Sequence, residues 1–361
     1  QEVLGYERRY VVALRTSLKD LEGEPLKAPE AFARLRDGLP TADATLEAQR
    51  APMEQLFALL EARGLPRQEL VLAWEFRTGS EADATARMRF VLEDGVARLP
   101  AEGPGATFQH VERDETSDAL IWREGWGELE VPNYLTGGDS DASFELDDAG
   151  LPRHQGTRRA VFRVHVPQCA KSATGPLPLL VVGHGLFRSV EQELESDVQR
   201  TIANRLCMIQ LGVTWIGLSD DDLVDVAGKV IPDFTQLTLL SDRVQQAHLA
   251  LHTLMRYAQT KLLEDPILQL DGSPLTDGQT IYYYGISNGG IQGTIFAALE
   301  QDIERFVLNV PGSYWTQMME RSSNFELLAT LLATQYGSAL DRLTLITFSQ
   351  PIWDDIDPIN Y

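Results

Sequence analysis

The pattern of apolar and polar residues changes near residue 170. Before that point, strand-like segments alternate with short helices in no regular order. The repeat of Met53, Leu56, Phe57 and Leu60 on one face predicts a helix over 46–64. The strand-like segments are 8–18, 69–80, 106–114, 128–135 and 159–167. We predict an α+β or mostly-β accessory region over residues 1–170, whose last strands are candidates for joining the main sheet.

From residue 171 the pattern is regular, with apolar segments that alternate with helical ones. Strands that are buried on both faces and alternate with helices are typical of a parallel sheet covered on both sides. We therefore predict an α/β domain over 171–361, with a doubly wound, mostly parallel sheet. The predicted strands are 179–187, 212–219, the run that ends at Ile286, and 305–312; the predicted helices include 195–210, one through Leu237–Leu254, and 288–300.

Composition and charge restrict the class of protein. The chain has 361 residues, a formal net charge of −22 and no apolar run long enough to cross a bilayer. Such a negative surface repels phosphate backbones, so we expect no nucleic-acid partner and no membrane span. Two cysteines, Cys169 and Cys207, are compatible with one disulfide in an exported protein or with two buried thiols. No zinc-ligand spacing or phosphate-binding loop is present, and we expect no metal and no cofactor.

The segment "IYYYGISNGGIQGTI" (281–295) contains the most specific motif. Gly285, Ser287 and Gly289 fit the pattern G-x-S-x-G between an apolar strand and a helical segment. That context is typical of a strained turn that presents a nucleophilic serine, and the glycines prevent a collision as the chain reverses. The N–H of Asn288, at the start of the helix, is a candidate oxyanion donor. The alternative is a glycine-rich turn with a capping serine.

A second motif, His184-Gly185-Leu186, follows an apolar strand upstream of the serine. Together, the two motifs resemble the α/β-hydrolase superfamily over 171–361, and more narrowly the large bacterial serine hydrolases described as lipase- or esterase-like, which often carry an extra N-terminal region. The resemblance implies that the Leu186 N–H is the second oxyanion donor, that His184 holds the loop, and that Ser287 attacks a small ester substrate. We expect a protein exported to the periplasm, the cell surface or the medium, with a cytoplasmic protein as the alternative.

The sequence departs from the superfamily in one respect, because all six histidines precede Ser287. In the superfamily an acid and then a histidine follow the serine. Three explanations stay open. The acid and base lie beyond residue 361 or on a separate C-terminal fragment, with the expected last strands; the chain is an inactive hydrolase fold that binds a ligand; or a histidine from an unusual position reaches Ser287. Among enzymes, a peptidase or amidase is the alternative to an esterase.

Several neighbouring residues have weaker assignments. We expect the acidic segment 219–236 to border the site or to be a solvated insertion. Trp215, Phe187 and Trp315 line an acyl pocket or belong to the core. His248 and His252 are expected in packing or solvated positions. The acidic cluster of Asp354, Asp355 and Asp357 is expected to be solvated.

Overall fold

The computed structural model describes residues 4–138, 141–303, 305–319 and 321–361. The chain forms two compact units, residues 1–83 and 84–361. Helix α4 (Glu81–Ala97) begins at the end of the first unit, where Ser80 and Asp83 bond each other's backbone N–H groups at 2.9 and 3.0 Å. This reciprocal pair is a capping box, which satisfies two N–H groups at the helix start.

The first unit combines one antiparallel strand pair with three helices. Strand β1 (Arg9–Arg15) pairs with β2 (Leu70–Arg77), and their inward side chains pack on the helices. Phe57 on the third helix is fully buried in a small core with Phe32 and Leu70. The helices are α1 (Glu30–Arg36), α2 (Ala44–Ala48) and α3 (Arg50–Glu61).

The second unit is built on a mixed seven-stranded sheet, with strand order β13-β12-β8-β9-β7-β4-β3. Neighbours from β13 to β9 run parallel, and neighbours from β9 to β3 run antiparallel. The strands of the sheet are β3 (Ala106–Glu112), β4 (Ile121–Pro132), β7 (Thr157–Pro167), β8 (Leu179–Gly183), β9 (Ile209–Val213), β12 (Ile281–Ile286) and β13 (Arg305–Asn309). Two short hairpins lie outside it: β5 (Leu135–Thr136) with β6 (Ser143–Phe144), and β10 (Gln269–Leu270) with β11 (Ser273–Pro274).

Helices cover both faces of this sheet. On β8, Leu179 and Val181 belong to the main core, whereas Leu180 and Val182 pack on the other face with Leu194. This alternation confirms the predicted doubly wound α/β arrangement. The helices of the unit are α5 (Val190–Leu194), α6 (Asp197–Leu206), α7 (Asp222–Asp225), α8 (Thr238–Ala258), α9 (Asn288–Leu299), α10 (Trp315–Met319), α11 (Glu326–Gln335), α12 (Ala339–Phe348) and α13 (Gln350–Trp353).

The structure places the boundary between units earlier than the predicted break at residue 170. Strand β7 pairs with β4 on one side and with β9 on the other, so β3, β4 and β7 belong to the same sheet as β8, as expected for the last strands of the accessory region. The compact units therefore divide at residue 83 instead. The predicted helix over 195–210 also ends earlier, at Leu206, because Ile209 and Gln210 begin strand β9.

Beyond β13, an edge strand of the sheet, the described residues are helical or irregular. The expectation that Asp354, Asp355 and Asp357 are solvated is wrong for two of them. Asp357 is fully buried and Asp355 is buried, and burial raises the pKa of Asp355 to about 6. Asp357 accepts hydrogen bonds from the N–H groups of Tyr314 (2.9 Å) and Trp315 (2.8 Å), so it caps the start of α10.

Cys169 and Cys207 form a disulfide. The bond joins the turn after β7 to the residue that ends α6. The sequence left open one disulfide or two buried thiols, and the structure contains the disulfide. Within the described residues, no helix combines the length and apolar character needed to cross a bilayer.

Candidate active site

The turn between β12 and α9 holds Ser287 in an unusual backbone conformation, with φ 54° and ψ −114°. Few non-glycine residues adopt positive φ, and such strain is concentrated at functional sites. The side chain of Ser287 makes no capping hydrogen bond to α9, and the residue lacks the extended conformation of an N-cap. The predicted strained turn is confirmed, and the alternative of a capping serine does not fit this geometry.

Two glycines permit this turn by letting backbone segments touch. A Cβ on Gly289 would lie 2.1 Å from the carbonyl oxygen of Gly183, at the end of β8. A Cβ on Gly285 would lie 2.1 Å from the carbonyl oxygen of Gly289. Real Cβ atoms do not approach backbone oxygens so closely, so the start of α9 can pack against both strands only with glycine at these positions.

Tyr283 on β12 supports the turn from below. The Tyr283 hydroxyl donates a hydrogen bond of 2.6 Å to the carbonyl oxygen of Gly289. The ring is fully buried, and burial raises the pKa of the hydroxyl. Sequence reasoning missed this residue because a tyrosine in an apolar strand carries no sign of the carbonyl that it contacts.

The second motif lies beside the turn. Strands β8 and β12 are parallel and in register, with Gly183 opposite Gly285, so both motifs lie at the carboxyl edge of the sheet. A Cβ on Gly185 would lie 3.9 Å from the Ser287 Cβ. In the described part of the chain, the N–H groups of Leu186 and Asn288 have no hydrogen-bond acceptor. The structure thus brings together Ser287, both N–H groups and all three glycines of the sequence analysis.

His184 has both ring nitrogens engaged in holding the loop. Nδ1 bonds the Gly185 carbonyl oxygen at 2.8 Å, and Nε2 accepts from the Trp215 N–H at 2.7 Å. One nitrogen therefore carries the proton and the other accepts, as in a neutral imidazole. Burial lowers the pKa of His184 to about 4. The ring joins the loop after β8 to the loop after β9.

Further hydrogen bonds anchor the 184–188 loop to the acidic segment. Phe187, which has φ 53°, donates its N–H to the Leu218 carbonyl oxygen at 2.9 Å. Next along the chain, Asp222 accepts from the Ser219 hydroxyl at 2.6 Å and forms an ion pair of 2.9 Å with buried Arg243 on α8. Ser219 and Asp222, at the start of the acidic segment, are therefore buried and paired beside the loop, whereas Asp221 is exposed.

Two of the remaining histidines, His248 and His252, bond other groups. On α8, His248 Nε2 contacts Gln292 Oε1 at 2.9 Å, and His252 Nδ1 contacts the His248 carbonyl oxygen at 2.9 Å. His248 is fully buried and the His252 side chain is only 10% exposed, which agrees with the packing alternative, and burial lowers the pKa of His248 to about 3. Among the described residues, no side chain forms a hydrogen bond with Ser287 Oγ, and no group of three metal-ligating residues is suitably placed for a metal ion.

The aromatic residues divide between pocket and core. Phe187 and Trp315 line an apolar cavity beside the 184–188 loop. Trp215 is buried and packs its ring against His248, with centroids 4.8 Å apart. Phe187 and Trp315 therefore line a cavity and Trp215 is a core residue, while the assignment of that cavity to an acyl group stays a prediction.

Comparison with known proteins finds similarity in structure only. No family model and no curated protein matches the sequence. Acetyl xylan esterase 1 from Thermoanaerobacterium sp. is 10% identical, with 77% of this chain and 74% of that chain covered and a TM-score of 0.43. An acetyl xylan esterase from Paenibacillus sp. R4 is 14% identical, with 76% and 75% covered and a TM-score of 0.43. A mutant of the rice cell wall degrading esterase LipA from Xanthomonas oryzae is 17% identical, with 66% and 62% covered and a TM-score of 0.36.

The arrangement around Ser287 agrees with the family that the sequence resembles. A parallel strand ends in a strained turn that presents a serine, a helix begins at the next residue, and the loop after a neighbouring parallel strand packs beside it. These are the defining relations of the nucleophile turn in that superfamily. The chain has the α/β-hydrolase fold.

Proposed function

We propose that this protein hydrolyses carboxylic esters through an acyl-enzyme intermediate on Ser287. One observation carries the proposal: Ser287 lies at φ 54° in a turn crowded against two strands, with its hydroxyl unused by the helix that follows. Backbone strain of this kind costs about 1–3 kcal/mol and persists where function requires it. A turn with no chemical role has no need of such backbone strain.

The roles of the proposed groups follow from ester chemistry. Ser287 Oγ gives its proton to a base as it bonds to the ester carbonyl carbon, and the carbonyl oxygen becomes an oxyanion. The N–H groups of Leu186 and Asn288 stabilise that oxyanion, helped by the N-terminus of α9. As the oxyanion collapses, the alcohol leaves with the proton from the base. Water then attacks the acyl-enzyme by the same steps and releases the acid.

The base is proposed to be a histidine outside residues 1–361, oriented by an acid that is also outside them. This is supported by the bonding of His184, His248 and His252 to other groups, and by the lowered pKa of each. A buried imidazole whose pKa lies far below 7 is a weak base at neutral pH. The residues could belong to a continuation of the chain or to a separate C-terminal fragment.

The substrate is proposed to be a small-molecule ester. The alternative is an amide substrate, on which the same groups would act as a peptidase or amidase. A location outside the cytoplasm is supported by the Cys169–Cys207 disulfide, because such bonds are rare where thiols are kept reduced. If no base reaches Ser287, the alternative is a hydrolase fold that only binds its ligand.

The test is hydrolysis of 4-nitrophenyl acetate and of the matching anilide by the native protein. We expect ester turnover that falls by several orders of magnitude in Ser287→Ala, since loss of the nucleophile in a triad costs about a million-fold. Ser313→Ala is the matched control, because Ser313 is an exposed serine just beyond neighbouring strand β13. Equal activity in Ser287→Ala would refute the proposal, and faster cleavage of the anilide would identify an amidase.

A further inference from the structure

An apolar cavity of about 80 Å³ lies beside the proposed site. Three parts of the chain form its wall: the loop after β8, the segment before and at the start of α8, and the C-terminal helices. Representative residues are Leu186, Phe187, Val230, Phe234, Trp315 and Trp353. Among the described lining residues, Ser322 is the only one with a polar side chain apart from the two indole groups.

The cavity is continuous with the residues that would bind the ester carbonyl. Leu186 is one of the residues that line the cavity, and its N–H is the proposed oxyanion donor. The preceding residue, Gly185, lies so near Ser287 that a Cβ added to the glycine would be 3.9 Å from the serine Cβ. A group attached to a carbonyl carbon at Ser287 therefore starts within one or two residues of this cavity.

The far wall is held in place by buried hydrogen bonds. The indole of Trp315 donates to the Ile356 carbonyl oxygen at 2.9 Å and stacks on Trp353, with ring centroids 5.1 Å apart. Asp357 bonds the Trp315 N–H at 2.8 Å, and Gln350 donates to the same carboxylate at 3.0 Å. Since these groups are satisfied within the wall, they leave the cavity surface apolar and preformed.

The size of the cavity limits what it can accept. An apolar cavity of about 150 Å³ holds a benzene molecule, with its six carbons. A cavity of about 80 Å³ has roughly half that volume and so matches about three carbons. A charged or strongly hydrated group would lose its water without gaining a partner there.

We propose that this cavity binds the acyl chain of the substrate, and that the preferred acyl group is short and apolar, of about four carbons including the carbonyl. This inference rests on the proposed ester hydrolysis at Ser287. Each methylene that is buried contributes about 0.8 kcal/mol, so two extra carbons relative to acetyl improve the fit by about tenfold. Carbons beyond the third find no further volume in the cavity and add nothing to that gain.

The experiment compares kcat/KM of the native protein for 4-nitrophenyl acetate, butyrate and octanoate. We expect butyrate to exceed acetate by about tenfold and octanoate to gain nothing over butyrate. Val230→Phe fills the cavity from a residue that is 2% exposed and should abolish the preference for butyrate over acetate. Val224→Phe is the matched control, since Val224 precedes it by six residues, is 77% exposed and lies outside the cavity, and should keep the preference.

A binding measurement separates this inference from the proposed chemistry. Ketones mimic the ester carbonyl without a leaving group, so we would measure binding of acetone and 2-pentanone to Ser287→Ala by thermal shift. Tighter binding of 2-pentanone by about tenfold, lost in the Val230→Phe background, supports the cavity even if no ester is hydrolysed. Equal binding of the two ketones would overturn the proposed acyl cavity. So would a wild-type kcat/KM that rises steadily to octanoate, and neither result depends on whether Val230→Phe folds.

Discussion

At the scale of single residues, crowding at Ser287 is the feature with the largest consequences. Gly285 and Gly289 leave no room for a methyl group, and the Tyr283 hydroxyl donates to the Gly289 carbonyl oxygen in the first turn of α9. The strained serine is therefore fixed by its neighbours, which keeps Oγ at the edge of the sheet. Replacing one of these neighbours tests the support of the turn and leaves the Ser287 hydroxyl unchanged.

Gly289→Ala should destabilise the protein. Its Cβ would meet the Gly183 carbonyl oxygen at 2.1 Å, so α9 must move away from β8, at a cost of about 2 kcal/mol or more in the free energy of unfolding. Gly228→Ala is the control, because a Cβ there has no neighbour within 4 Å. Urea unfolding measures both, and equal stability of the two variants would contradict the packing described.

Tyr283→Phe should cost about 1–3 kcal/mol, because it leaves the Gly289 carbonyl oxygen buried without the hydroxyl donor. Tyr282→Phe, at the adjacent and less buried position on β12, should change the free energy of unfolding by much less. The comparison uses the same urea titration. Similar losses in the two variants would show that the Tyr283 hydroxyl does not support the turn.

His184 should stay neutral down to about pH 4. Its folded pKa is lowered by burial to about 4 from an ordinary 6.5, so the unfolded chain binds the proton first as pH falls. His184 therefore lowers the stability of the native state between about pH 6.5 and 4, by about 3 kcal/mol in full, and has no further effect below that range. A histidine NMR titration is the measurement, and a midpoint near 6.5 in the folded protein would contradict the buried contacts of the ring.

At the scale of elements, the sequence could predict the features that depend on neighbouring residues, but not those that depend on contacts between distant parts of the chain. Patterns of adjacent residues are enough to predict the β8 and β12 strands and the turn at Ser287. The same holds for the capping box at Ser80, and the structure contains all of these features. The sequence predicted that the last strands of the accessory region could join the main sheet, as β7 does. It could not predict that the partners of β7 are β4 and β9, because these pairings involve residues far apart in sequence. The burial of Asp357 was missed for the same reason, since its partners are about forty residues away.

The disulfide between the turn after β7 and the end of α6 should contribute strongly to stability. It closes a loop with a sequence separation of 38, for which chain-entropy arguments give about 4 kcal/mol. We expect a Cys169→Ser/Cys207→Ser variant to lose about 2–4 kcal/mol in urea unfolding, and the wild-type protein to lose a similar amount in reductant. No effect of reductant on the wild-type protein would contradict the bond.

At the scale of the whole molecule, the parallel half of the sheet carries the proposed chemistry. Strand β13 is an edge of that half, and the described residues after it form helices that wall the apolar cavity. The position of the nucleophile could be predicted from its motif. The cavity could not, because its lining comes from three distant parts of the chain, of which sequence reasoning singled out Phe187 and Trp315.

The proposed base lies outside the 361 residues, so the mature protein should contain additional polypeptide. We expect the intact mass of the protein from its native source to exceed 40.2 kDa, or a second fragment to copurify with it. Added sequence should include a histidine and an acid. A mature protein of 40.2 kDa that nevertheless hydrolyses esters would contradict a base outside these residues.

The central claim is that Ser287 is an activated nucleophile, and the most direct measurement is covalent labelling of the native protein with a fluorophosphonate, followed by peptide mass spectrometry. The account predicts one adduct, on the peptide that contains Ser287, which is lost in Ser287→Ala and retained in Ser313→Ala. Absence of an adduct in the native protein, or an adduct on a different residue, would contradict the claim and favour a protein that binds its ligand without hydrolysing it.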